Sequence, residues 1–166
     1  MKGVDKSLRR LEKKDIPFML EWMHDKTVVK NLQADFANRT LEDCKKFIEN
    51  SINNENINLA IVNNNDEYMG TVSLKHIGDT SAEFAIVVRK NAMGKGYSIY
   101  ALQEIVRYAF DNIKLKKVYW CVSPENIRAL RFYDKHGFSK MDNSHLSFPG
   151  YSLDQIKSYI WYYIEC

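Results

Sequence analysis

The 166-residue chain has no apolar run near the ~20 residues that a membrane-crossing helix needs. Its first residues, Met1-Lys2-Gly3-Val4-Asp5-Lys6, lack the apolar centre of a secretory leader, so a cytoplasmic protein with no membrane partner is expected. Cysteine is scarce: Cys44, Cys121 and Cys166 stand far apart with no Cys-x-x-Cys spacing. An odd, scattered set suits neither a disulfide framework nor a metal cage, and no metal is expected. Charge of one sign is also missing, with 24 Lys and Arg against 21 Asp and Glu. So mild a balance speaks against nucleic acid as a partner, while leaving room for a local basic patch. With 7 glycines and 3 prolines, and no repeat, low-complexity tract or linker, residues 1–166 are expected to form one domain.

What remains is an ordinary globular composition with readable periodicity. A first strand is expected over residues 7–11. Asp15 is a plausible N-cap, with Pro17 just inside a helix carrying Phe18, Met19, Leu20, Trp22 and Met23. Thr40 and Asp43 open a second helix running to about residue 53. A hairpin of residues 57–62 and 67–75 follows, then a strand from Ala82 to Arg89. The strongest helical signal is Ile99, Leu102, Ile105, Val106, Ala109, Phe110 and Ile113. Residues 117–122 read as a strand and 126–136 as a helix stopped by Gly137. Two strands, 139–146 and 156–164, close the chain. The order predicts an α+β fold with a mixed, mainly antiparallel central sheet flanked by about four helices.

The chemistry concentrates in residues 82–138. An apolar strand runs into Met93-Gly94-Lys95-Gly96-Tyr97-Ser98 and then into the long helix. Glycines let the backbone bend tightly and approach a ligand, and the first-turn N–H groups with the helix dipole suit a pyrophosphate. An ordinary strand-to-helix turn would also use small residues. A P-loop is excluded by spacing, and the dinucleotide fingerprint fails because Ile99 stands where its third glycine belongs.

Further on stands Asn126-x-x-Ala129-x-x-x-Tyr133-x-x-x-Gly137-Phe138. With the glycine turn, this resembles the GNAT superfamily of acetyl-coenzyme A-dependent N-acetyltransferases, by motif over about a third of the chain. The Trp22 to Phe36 region is similar to the subgroup of ribosomal-protein N-terminal and amino-sugar acetyltransferases, although Trp22 and Phe36 also read as core aromatics. The family's turn usually begins with Gln or Arg and ends with Gly or Ala, where this chain has Met93 and Ser98. No backbone donor is lost by that departure.

The resemblance implies splayed central strands with the pantetheine arm of acetyl-coenzyme A between them, paired to backbone near Ile86, Val87 and Val88. It implies that residues 93–98 hold the diphosphate, that Asn126 bonds the pantetheine, and that Tyr133 protonates the departing thiolate. An ordinary phenol, with pKa near 10, is a suitable acid for that thiolate. An alkyl amine is mostly protonated at neutral pH and gains from a base. Glu83 is the candidate, acting through water, and a solvent-facing strand carboxylate is the equal alternative.

His24, His76, His136 and His145 are scattered, and none is assigned a role in the reaction; His136 is read as stabilising a helix C-terminus. Cys121 is read as core filler, so direct transfer to a small amine, amino sugar or peptide N-terminus is expected. A non-catalytic acyl-coenzyme A sensor is the alternative. Residues 159–164 suit a buried strand, a homodimer contact or a pocket wall, which leaves monomer and homodimer both open.

Overall fold

Strands and helices follow one another along most of the chain in the computed structural model, which describes residues 5–32, 34–144 and 146–166. Strands β1 (Lys6–Arg10), β2 (Ile57–Asn63), β3 (Tyr68–Lys75), β4 (Ser81–Val88), β5 (Lys117–Val122), β6 (Ser139–Lys140) and β7 (Ile160–Glu165) form one sheet. Its order is β1-β2-β3-β4-β5-β7-β6, and only β4 and β5 run parallel. The helices are α1 (Ile16–Met23), α2 (Lys26–Val29), α3 (Leu41–Glu49), α4 (Tyr97–Asp111), α5 (Ile127–Lys135) and α6 (Leu153–Ser158). The fold is thus α+β with a mixed, mainly antiparallel sheet. Among the described residues six α-helices stand where about four were expected, the additions being the short α2 and α6.

Strand alternation divides the core between two faces. Ala82, Phe84, Val118, Trp120 and Val122 pack on one face with Ala101, Leu102 and Ile105 of α4 and Tyr133 of α5. On the other face α1 and Cys44 of α3 cover Ala60, Val62 and Tyr68. Beside them Tyr119 and Trp161 lie under Phe148 and Ile156. Trp22 is a core aromatic: its indole N–H donates to the Tyr68 hydroxyl at 3.0 Å, and Phe36 meets it edge-on.

The feature that shapes the site is a break in sheet pairing. β4 stays paired to β3 from Glu83 through Val88. It pairs with β5 only at Ser81↔Lys117, Ala82↔Val118 and Glu83↔Tyr119. β5 meanwhile keeps β7 as far as Val122↔Ile160. Each strand therefore holds its outer neighbour while the two part from each other.

Three expectations are refined. Asp15 stands at the N-cap position of α1 without a side-chain cap bond. Its carboxylate is taken by Arg9, through two bonds of 2.8 Å, and by the Glu12 N–H. The expected strand over 139–146 pairs at Ser139 and Lys140, and one further bond runs from Met141 N–H to Trp161 O at 2.9 Å. Beyond them Asn143 turns away to donate to the carbonyls of Ile156, Lys157 and Tyr159 at the end of α6. His145, within that segment, lies outside the described residues. The expected strand over 156–164 begins at Ile160, because Ser152 and Gln155 form a capping box that starts a helix.

Candidate active site

Backbone geometry builds the site first. Arg89 N–H bonds Met69 O at 2.8 Å, which fixes the alternation along β4. Val87 then turns its backbone to Thr71 of β3, whereas Ile86 and Val88 turn theirs toward the gap left by β5. Burial follows: Ala82 to Phe84 are buried and Ala85 to Val88 only half-buried. Unpaired strand groups at a half-open gap are ready partners for an extended amide-bearing chain.

At the wide end of the gap the chain makes a 3₁₀ turn, Lys90–Ala92, and passes half-buried Met93 into α4. Gly94 and Gly96 have φ of 77° and 86°, which glycine alone adopts at no cost. A Cβ on Gly94 would meet nothing within 4 Å, so the mouth is open. Gly96 caps α4 without a side-chain bond, whereas Thr40, Asn126 and Ser152 cap α3, α5 and α6 with theirs. The first intrahelical bond at this end is Tyr100 N–H to Gly96 O. The N–H groups of Tyr97 and Ser98 therefore face outward at the positive end of a fifteen-residue helix. Exposed Lys95 lies in this turn, and Lys6 of β1 reaches across to sit 5.2 Å from the Tyr97 ring centre. Lys6 had no signal in sequence, being far from this turn along the chain.

Asn126 caps α5, its Oδ1 accepting from Ala129 N–H at 3.3 Å, and among the described residues its amide NH₂ keeps its donors free. Seven residues on, Tyr133 is buried against Trp120 and Tyr162, with ring centres 5.2 and 5.1 Å away. Its hydroxyl makes no hydrogen bond to the described residues. Burial, then the nearby Tyr162 and Cys121, raise its pKa well above the ordinary phenol value assumed from sequence. Trp120 lies one residue past the last β4–β5 pair, and its buried indole N–H has no partner among the described residues. An orphaned donor, an unpaired strand edge and an uncapped helix mouth along one gap fit acetyl-coenzyme A. Residues 94–98 would hold its diphosphate, with Ile86, Val88 and Asn126 along its arm.

Glu83 closes the gap on the opposite face. It is 2 % exposed, which removes the solvent-facing reading. Oε1 meets His76 Nδ1 at 3.0 Å, and Oε2 accepts from the Tyr151 hydroxyl at 2.5 Å with Lys75 Nζ at 4.0 Å. Tyr151 also receives the Cys121 thiol at 3.7 Å, which puts Cys121 beside this cluster rather than in the main core. Burial, then Cys121 and Glu83, raise the Tyr151 pKa and keep the phenol protonated. The other histidines lie elsewhere: His24 contacts Arg39 O, and His136 bonds Phe132 O at 2.8 Å at the end of α5.

Comparison with known proteins agrees with this geometry. The acetyltransferase (GNAT) domain profile matches residues 7–139. The uncharacterized N-acetyltransferase YnaD of Bacillus subtilis is 30% identical, over 80% of this chain and 78% of its own. A spermidine N(1)-acetyltransferase of Escherichia coli is 27% identical, over 80% of this chain and 72% of its own. The Vibrio cholerae spermidine N-acetyltransferase solved with CoA and spermine superposes with a TM-score of 0.79. It is 20% identical, and the match covers 98% of this chain and 96% of that one, a likeness of fold. With an open helix mouth and a split sheet matched over most of its length, the chain belongs to the GNAT acetyltransferase family, whose acyl donor is acetyl-coenzyme A.

Proposed function

We propose that the protein transfers the acetyl group directly to the primary amine of a small molecule, an alkyl polyamine or an amino sugar, in preference to a protein N-terminus. The observation that carries this reading is the buried Glu83 carboxylate at the closed end of the β4–β5 gap, on the face opposite Tyr133. A buried anion there favours a cationic acceptor. Phe148 and Tyr151 cover the neighbouring sheet surface, stacked on Tyr119 and edge-on to Trp161, so the amine must arrive on a slender chain or ring. The E. coli relative named for spermidine supports an alkyl amine.

When bound, acetyl-coenzyme A supplies an activated thioester. The residues divide the remaining work. N–H groups of residues 94–98, with Lys95, hold the diphosphate, and Met93 lines the entry. Ile86 and Val88 present strand donors and acceptors to the arm, Val87 packs behind them, and Asn126 donates from its amide. Glu83 takes a proton from the acceptor ammonium, and Tyr133 gives one to the leaving sulphur. The thiol of Cys121 is paired with Tyr151, and no acyl group passes through it.

The test is a panel of polyamines, amino sugars and peptides with free N-termini, read by release of free coenzyme A thiol. Release with small amines at rates well above those with peptides is expected. Coenzyme A binding without release by any amine would instead favour a non-catalytic acyl-coenzyme A sensor.

A further inference from the structure

We propose that His76 is the proton outlet of Glu83, returning to solvent what the carboxylate takes from the acceptor. The inference rests on the reading of Glu83 as the base. His76 reaches the reaction only through Glu83 and so is a positioning residue rather than a catalytic one.

A base must be reset after each turnover, and Glu83 has no route of its own. Its side chain is 3 % exposed, against 35 % for His76, whose Nδ1 lies 3.0 Å from Oε1. Among the described residues no other group around the carboxylate is both exposed and in hydrogen-bond contact with it, for Lys75 is 36 % exposed but lies beyond hydrogen-bond reach. Tyr151 occupies Oε2, Lys75 stands 4.0 Å off, and buried Tyr119 feels the Glu83 charge. Cys121 lies behind Tyr151. The imidazole therefore joins the sealed carboxylate to water.

The placement of that imidazole is held at some cost. His76 has φ of 51°, a left-handed conformation that non-glycine residues adopt under strain. Gly150 leaves room for the ring from above: a Cβ there would stand 3.2 Å from both Cε1 and Nε2. Backbone strain at one end and an absent side chain at the other set the ring on Glu83.

The transfer balances without an oxidant or further reactant. The acceptor ammonium loses a proton to the Glu83 carboxylate, which becomes a neutral carboxyl. That proton passes to Nδ1 of the neutral imidazole in the tautomer that carries its hydrogen on Nε2. The imidazolium then releases its Nε2 proton to water, which leaves Glu83 a carboxylate and the ring with its hydrogen on Nδ1. The 35 % exposed ring returns to the Nε2–H tautomer by proton exchange with water before the next turnover.

The test is His76→Gly, because glycine takes a φ of 51° freely and the fold should persist. The expected result is a kcat lowered roughly 10- to 100-fold with unchanged coenzyme A affinity. Added imidazole should restore kcat in proportion to its concentration, while pyrazole, equal in shape and far less basic, should not. In a Glu83→Gln background the imidazole response should vanish. Wild-type kcat in His76→Gly, or equal rescue by pyrazole, would overturn the outlet. Loss of kcat in Glu83→Gln alongside full kcat in His76→Gly would overturn the outlet while leaving the base in place. Full kcat in Glu83→Gln would remove the base, and the outlet with it.

Discussion

Tyr133 is the residue whose two possible roles, packing and proton donation, can be separated by one atom. Its ring stands in contact with Trp120, Phe132, Phe138 and Tyr162. Its hydroxyl has no protein partner to lose among the described residues. Tyr133→Phe keeps the packing and deletes only the proton, so stability should hold within about 0.5 kcal/mol. Turnover should fall roughly 10²- to 10⁴-fold, with the Kd for coenzyme A, measured by calorimetry, unchanged. Wild-type kcat in that variant would leave Tyr133 as core alone. Tyr133 was legible in the sequence because its spacing from Asn126 and Gly137 lies within one helix and its cap. The surroundings of Glu83 were not legible. Residues 76, 83, 121 and 151 meet only through the register of three strands and the turn before Tyr151. No local pattern marks His76 or Tyr151, and a carboxylate on a strand reads as solvent-facing until the covering segment is placed.

At the scale of the element, the proposed role of Asn126 at the start of α5 would have one side chain serve both fold and ligand. Asn126 spends its carbonyl oxygen on the Ala129 N–H and keeps its NH₂. Asn126→Asp keeps the acceptor and adds a charge that suits a helix N-terminus, so thermal stability should be equal or higher by up to about 1 kcal/mol. The amide donor is lost, and the Kd for coenzyme A should rise about three- to tenfold. A variant that loses stability and affinity together would mean that the cap alone explains Asn126. Helices were legible where a cap and an apolar stripe coincide, as at Thr40 and Asp43 for α3 and along 99–113 for α4. The tail was misread because Leu153 and Ile156 look strand-like beside the aromatic run that follows. Ser152 and Gln155 were the available signal for α6. The parting of β4 from β5 had no signal in the residues themselves, since both strands are apolar on either side of the break; it came from the resemblance.

Across the whole molecule, buried phenols tie the fold to alkaline pH. Tyr68 lies under α1, Tyr119 lies on the face of Glu83, and Tyr133 and Tyr162 lie on the face of α4, all of them buried. Burial is the leading cause that raises the pKa of each. In the unfolded chain the same groups titrate near the ordinary value of about 10. Their contribution to stability is therefore complete below about pH 10. Above it the unfolded chain gives up protons that the folded chain retains. Each such tyrosine then removes about 1.4 kcal/mol of stability per pH unit until its folded pKa is reached. Four acting together would exhaust a domain stability of about 5–15 kcal/mol within roughly one to three pH units above 10. The share of the tyrosinate absorbance at 295 nm that belongs to these four of the ten tyrosines should thus appear in one cooperative step together with the loss of far-ultraviolet circular dichroism. Saturating coenzyme A should move that step to higher pH, because a ligand held only by the folded state stabilises it. Formation of tyrosinate at all ten tyrosines with unchanged dichroism would mean that these four hydroxyls meet water in the folded protein, and the sealed closed end of the gap would have to be redrawn.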